Sequence, residues 1–316
     1  GPPEHKLGIR GSSTTEIIFE NVDIAAEDIL GNGTGGLDQI KSILAWGRMT
    51  LAAGCIGVAR RAYRMALEHA RTRRQFGAPI SDFGLVREKL ARMAAGLHTM
   101  ESMVAVTAAI HDRDAAEART ATSYAKIFCS RTVWSIVDDA VQIFGGMGYI
   151  EETGIARALR DARINMIFEG TNEILTYLSA LETLVPILAK SPNAGNVDEN
   201  LSSVAPHVET GYAAEARAFD ARLSALAKSA GAYIRRVGLR VRDDQYGAGF
   251  YTGLGILLYA MYAVLLRASN DNTPGSRGTF ARLGAEFDAL IARGAPDAAE
   301  IDALIPAERA KAGAAK

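Results

Sequence analysis

A chain of 316 residues with 48% hydrophobic content is long enough to bury a sizeable core, in one large domain or two smaller ones. Charged residues make up 22% and the formal net charge is -1, so no global basic field draws the chain to nucleic acid or an anionic membrane. Two cysteines, Cys55 and Cys129, are too few for a disulfide framework and point to a reducing compartment. The five histidines are scattered, and only His98 and Glu101 share a helix face, so no metal site is expected. The chain opens without an apolar signal region, and Gly1-Pro2 reads as a protease scar or the start of a shortened chain. No uncharged apolar run reaches the roughly 18 residues of a spanning helix, and a soluble protein is expected.

Residues 1–30 differ in kind from the rest. Ile17-Ile18-Phe19 and Val22 favour β structure and stand among Gly8, Gly11 and the turn-like Glu20-Asn21. Two short strands are expected, the residue of a larger sheet, and two strands alone are marginal in water. From about residue 37 to 188 the pattern is helical. Val86, Leu90, Met93, Leu97, Met100 and Val104 form one stripe of a long helix, and Ala125, Phe128, Thr132, Ile136, Ala140 and Ile143 form another. Their mean spacing favours near-antiparallel packing in a bundle. Gly77, Pro79 and Gly84 punctuate the approach to the first of these helices. Residues 190–206 read as a polar linker, and further helices are expected at about 208–230, 232–269 and 278–293. Within them Leu254–Leu266 is apolar on every side, by default a buried core helix and alternatively a membrane-docking or dimer-contact helix. The fold is thus mainly α: a β remnant at 1–30, an antiparallel four-helix bundle at 31–189, the linker at 190–206 and a helical extension at 207–316, frayed at its end.

Chemistry concentrates in QIFGGMGYIEETGIARALRDARINMIFEGTNEI, residues 142–174. Gly145-Gly146-Met147-Gly148 closes a helix and lets backbone approach another chain or a ligand. It is not a dinucleotide fingerprint, because no strand precedes it and the spacing differs. Glu169 follows Ile167-Phe168 and precedes Gly170-Thr171, a carboxylate on an apolar wall before a new helix that Thr171 or Asn172 would cap. Such a wall disfavours the charged carboxylate, which suits a base working near neutrality. A solvated turn glutamate is the bland alternative. In residues 70–93, Arg71, Arg73 and Arg74 precede a Gly-Pro turn, either to grip phosphate through paired N–H donors or as a solvated basic helix end.

Together RRQFG, QIFGGMGY, RDARI and FEGTNEI, in this order and spacing, resemble the acyl-CoA dehydrogenase family, and the resemblance runs across residues 6–182. KLGIRGSSTTEIIFENVDIAAEDILG looks like that family's last β-domain strands and the entry to its helical domain. The resemblance implies FAD as cofactor and Glu169 as catalytic base. Some members carry the base near the start of the first long helix, before an arginine; the matching arginine is Arg48, and Gly47 before it has no carboxylate. Arg73, Gln75 and Phe76 match contacts to FAD phosphate and adenine-side groups across a homodimer, and Gln142 and Gly146 match further contacts from the same neighbouring subunit. Thr171 and Glu173 match positions near the adenosine and pyrophosphate, where Gln is common in place of Glu. Arg48, Phe168 and Gly170 belong to the acyl-CoA side, with Arg48 ordering the wall of the site.

The implied reaction is α,β-dehydrogenation of an acyl thioester, with the α-proton taken by Glu169 and the β-hydrogen leaving as hydride to the flavin. Electrons then pass to an electron-transferring flavoprotein. The helical extension, with ESM at 101–103 and AKIFCSRTVW at 125–134, looks like the very-long-chain type and implies a long or very long acyl chain in fatty acid β-oxidation. The family's N-terminal domain and most of its β-domain are expected to lie outside this chain, which alone is then expected to be inactive. The implied location is the cytoplasm, or the mitochondrial matrix in a eukaryote, with peripheral membrane contact through the extension left open. A non-catalytic dimerisation module and a DNA-binding branch, suggested by Arg235, Arg236, Arg240 and Arg242, are the alternatives; Asp243 and Asp244 follow at once, and no nucleic acid partner is expected.

Overall fold

The structure, a computed structural model, describes residues 1–31, 35–190, 208, 210–271 and 275–296. The chain divides into two compact units, Gly1–Leu175 with Thr273–Thr279, and Thr176–Asn272 with the residues from Phe280 onward.

The first unit is built on three long helices: α1 Gly36–Thr72, α2 Gly84–Arg113 and α3 Ala118–Phe144. Cross-contacts set their directions. Trp46 meets His111 at 5.5 Å between ring centroids and Arg60 meets Glu101 at 2.8 Å, so α1 and α2 run antiparallel. Lys89 meets Asp139 at 2.7 Å while Gly96 faces Thr132, so α2 and α3 also run antiparallel. That leaves α1 and α3 parallel, and His69 stacks on Phe144 at 4.3 Å near their C-terminal ends. The core face of α1 is nearly all small, with Ala45, Ala52, Ala59, Ala62, Ala66 and Ala70 buried, which lets α3 pack close. The α2 stripe read from sequence is the buried or half-buried face of that helix. Asp139, its side chain 6% exposed, is matched by Lys89 and by both terminal contacts of Arg92, a charge cluster that pins α2 to α3.

Between α1 and α2, β1 Arg74–Gln75 pairs antiparallel with β2 Ala78–Pro79. Phe76 at φ 51 and Gly77 at φ 85 form the two-residue turn, the doubly positive geometry that a tight hairpin demands. After α3, Gly145 (φ 61) ends the helix, and Gly148 is buried where a Cβ would stand 2.6 Å from the Val141 carbonyl oxygen. Short helices α4 Gly146–Tyr149 and α5 Ile155–Ala162 lead to the loop before α6 Asn172–Lys190.

Residues 1–31 contain no strand, contrary to expectation. Glu4 N donates to Thr14 O at 2.8 Å, drawing two arms together without a ladder, because no third strand completes a sheet. This segment docks on α5, where the Ile9 N–H donates to Asp161 Oδ1 at 2.5 Å and Gly8 lies against the Arg160 backbone.

In the second unit α7 Ala213–Val237 and α8 Gln245–Asp271 replace the expected 208–230 and 232–269. Gly231 is carried inside α7, and the break comes at Gly238, φ 56. Asp244 then caps α8, its Oδ1 accepting from the Gly247 N–H at 2.9 Å and its Oδ2 from the Tyr233 hydroxyl at 2.9 Å. That aspartate is thus a structural cap, and Arg236 lies over the Tyr233 ring at 5.9 Å. None of residues 254–266 is exposed, in keeping with a core helix. The helix α9, Ser276–Arg293, begins in the first unit and continues in the second. The linker at 190–206, Lys190 excepted, and the final residues lie outside the described residues.

Among the described residues three helices are long and apolar enough to cross a membrane by length and composition, Gly36–Thr72, Gly84–Arg113 and Gln245–Asn270, where the sequence led to an expectation of none. That reading required an uncharged run; alanine- and glycine-rich segments carrying a stray charge also qualify.

Candidate active site

The loop 167–171 hangs between the short 3-10 turn at Arg163–Met166 and the start of α6. Glu169 adopts φ 58 and Gly170 φ 90, so the chain reverses through two left-handed residues. This conformation strains a glutamate but not a glycine, and it turns the carboxylate back onto α1. A Cβ built on Gly47 would lie 2.6 Å from Glu169 Oε2 and 2.9 Å from its Cδ. The carboxylate therefore occupies the space that the missing side chain of Gly47 leaves on α1. Glu169 and Gly47 line a cleft of about 370 Å³ with Thr50, Leu51, Gly54, Cys55, Val58, Asn165 and Phe168. The walls are mostly apolar, as expected for Phe168, and Glu169 is half-buried there.

Two cations hold the loop from beneath. Arg48 Nε donates to the Glu169 carbonyl at 3.1 Å. Lys126 Nζ donates to the Gly170 carbonyl at 2.8 Å and to Asn172 Oδ1 at 2.9 Å. Asn172 is buried and also bonded to Ser130, so it does not cap α6; Thr171 does, its Oγ1 accepting from the Ile174 N–H at 3.3 Å. Burial pushes the Cys55 thiol up to about 12 and Cys129 well above its ordinary value, so both are inert packing groups.

The other candidates divide by place. Thr171 is half-buried and Glu173 exposed, both beside the Glu169 loop. Arg73, Gln75 and Phe76 are exposed on the hairpin after α1, and Gln142 and Gly146 are exposed where α3 ends. The His69–Phe144 stack shows that these two groups share one end of the bundle. Arg48 and Thr72 are roughly 36 Å apart along α1 at about 1.5 Å per residue. The two groups of candidate residues thus lie at opposite ends of α1.

Sequence reading assigned Lys126 and Ser130 no role, and it offered Asn172 as a cap where the structure makes it their buried partner. A signal existed: Thr122, Lys126, Cys129, Val133 and Ala140 continue a buried helical stripe of α3, and a lysine on such a stripe calls for a partner. Among the described residues no cluster of three or more potential metal ligands exists.

The cleft thus presents one carboxylate, that of Glu169, among largely apolar walls, and the exposed hairpin lies at the other end of α1. Residues 34–182 match the family model described as the acyl-CoA dehydrogenase C-terminal domain. Over that region the chain belongs to the acyl-CoA dehydrogenase family, whose members are FAD enzymes. It is 40% identical over 200 residues to the very long-chain specific acyl-CoA dehydrogenase, mitochondrial, of Bos taurus, covering 63% of this chain and 30% of that protein. The Homo sapiens protein of the same name is 42% identical over 182 residues, 58% of this chain and 28% of its own length. The chain therefore spans less than a third of these curated relatives. The crystal structure of a Bacillus anthracis acyl-CoA dehydrogenase complexed with FAD superposes with a TM-score of 0.80 at 28% identity, covering 92% of this chain and 55% of that one.

Proposed function

We propose that the protein formed by these residues catalyses FAD-dependent α,β-dehydrogenation of long- or very-long-chain acyl-CoA, with Glu169 as the base. The observation that carries this is the Glu169 carboxylate laid against Gly47 inside the cleft. A half-buried carboxylate on apolar walls can accept one proton from a bound carbon acid without bulk water competing for it. FAD, when bound, supplies the two-electron acceptor for the β-hydrogen. Glu169 takes the α-proton, and the family resemblance implies that its backbone N–H donates to the thioester carbonyl. Gly47 leaves the carboxylate room, Phe168 and Gly170 form the adjoining wall, and Arg48 holds the Glu169 carbonyl.

The far end of the bundle fits a cofactor held jointly with another chain. Arg73 presents a guanidinium to phosphate, and Gln75, Phe76, Gln142 and Gly146 expose polar, aromatic and bare-backbone surface beside it. Because this group lies so far from Glu169, it serves the carboxylate of a second copy, and a homodimer follows. Thr171 and Glu173 then contribute from the Glu169 end. The long acyl chain is supported by the names of the bovine and human relatives, which are also mitochondrial. A mitochondrial matrix or cytoplasmic location and an electron-transferring flavoprotein as acceptor accompany this reading. The buried state of residues 254–266 gives little support to membrane contact through that stretch.

The test is Glu169→Gln in the flavin-loaded protein, assayed with palmitoyl-CoA and an artificial electron acceptor. Flavin content and acyl-CoA affinity stay within about threefold, while turnover falls by roughly three orders of magnitude or more. Turnover within tenfold of the parent reassigns the base.

A further inference from the structure

Lys126 is among the largest fully buried side chains of the protein, at 0% exposure. A lysine is rarely buried completely without a partner, and an ammonium out of water requires acceptors for its three N–H groups. Among the described residues no carboxylate forms an ion pair with this one. Its hydrogen-bond acceptors are neutral, the Gly170 carbonyl at 2.8 Å and Asn172 Oδ1 at 2.9 Å, and the second is itself fixed by Ser130. The charged and titratable groups acting on it are Cys55 and Arg48 from α1, Glu169 from the loop and Glu173 from α6. Burial is the largest influence and brings the ammonium down to about 8, with Arg48 acting in the same direction and Glu169 and Glu173 opposing it.

A packing role needs none of this; a methionine would fill the same space without the cost of burying a charge. What the charge does accomplish is local. Glu169 and Gly170 both lie in the left-handed region, at φ 58 and φ 90, and a loop in that conformation persists only where its surroundings hold it. Two successive carbonyls of this reversal are each gripped by a cation, Glu169 O by Arg48 from α1 and Gly170 O by Lys126 from α3. Asn172, on the next turn, anchors the first residue of α6 to the same ammonium.

We propose that Lys126 is a positioning residue for the base: its buried ammonium clamps the Gly170 carbonyl and the Asn172 side chain, and thereby holds the Glu169 carboxylate over Gly47. Lys126 is fully buried and does not line the cleft, so it acts through the loop. The inference about activity rests on the reading of Glu169 as base; the inference about the loop does not.

The test uses Lys126→Met in the full chain, with hydrogen exchange followed separately in peptides spanning 166–176 and 90–104. Lys126→Met speeds exchange in 166–176 by about tenfold or more and leaves 90–104 within about threefold. In the flavin-loaded protein the same variant lowers kcat by about tenfold or more while KM for palmitoyl-CoA moves less than about threefold, because the carboxylate is displaced without loss of the acyl cleft. If Lys126→Met does not fold, Lys126→Gln, which keeps an N–H donor on a shorter stem, is held to the same criteria. Unchanged exchange in 166–176, or equal acceleration in both peptides, overturns the positioning role. Locally faster exchange in Lys126→Met, together with full turnover in Glu169→Gln, leaves the clamp standing and removes the base assignment instead.

Discussion

Glu169 is held in a backbone region that costs a non-glycine residue on the order of 1–2 kcal/mol, and its carboxylate fills the gap that Gly47 leaves. The two positions are matched, so a side chain at 47 must displace the acid. Gly47→Ala is expected to lower kcat by about tenfold with a change in melting temperature of only a few degrees, since the atom it meets is the movable end of a side chain; equal kcat in Gly47→Ala would show that the carboxylate works from elsewhere. Lys126 gives a pH signature. With a folded value of about 8 against 10.5 for an ordinary lysine, the folded chain gives up this proton first. Between those two pH values the unfolded chain binds more protons, so folding gains stability as pH rises, by on the order of 3 kcal/mol. Urea unfolding at pH 7.5 and pH 10 is expected to show that gain in the parent and not in Lys126→Met, with groups common to both cancelling in the comparison. The proposed base was legible in the sequence because Phe168-Glu169-Gly170-Thr171 is a contiguous motif. Lys126 was not, because its two acceptors lie more than forty positions along the chain and are a backbone carbonyl and a side-chain amide, which carry no charge pattern.

At the level of elements, the hairpin at 74–79 carries a conformational cost for no internal contact of matching size. Phe76 is 96% exposed and at φ 51, although its ring meets Phe83 edge-on at 6.2 Å. Phe76→Gly is expected to leave stability unchanged or raise it by about 1 kcal/mol, while the flavin retained on gel filtration falls severalfold. A loss of stability with flavin retained would make Phe76 a packing residue. Stripes of large apolar residues, as in α2, were read correctly because leucine and methionine at three- and four-residue spacing mark a buried face. The α1 core face was not, since it is made of alanine, and Leu37, Ile40, Ile43 and Trp46 on the same helix are exposed. Composition there pointed to the wrong face. The strands expected in residues 1–30 failed for a different reason: β propensity describes a fit to a pleated neighbour, and the described residues supply none.

Taken whole, the molecule leaves apolar surface in water at Ile17, Ile18, Phe19, Val22 and Ile24, at the start of α1, and at Phe76, Leu85 and Tyr149. Exposed apolar surface of this kind can serve as an interface, as the proposed homodimer requires. Light scattering is expected to give a mass of at least two chains of 33.6 kDa; a monodisperse monomer with bound flavin would contradict the shared site. The most direct trial of Glu169 as base is the exchange of the α-proton of palmitoyl-CoA with solvent deuterium, followed by mass spectrometry on flavin-loaded protein. Glu169→Gln is predicted to slow that exchange by roughly three orders of magnitude, and exchange within tenfold of the parent would contradict the assignment.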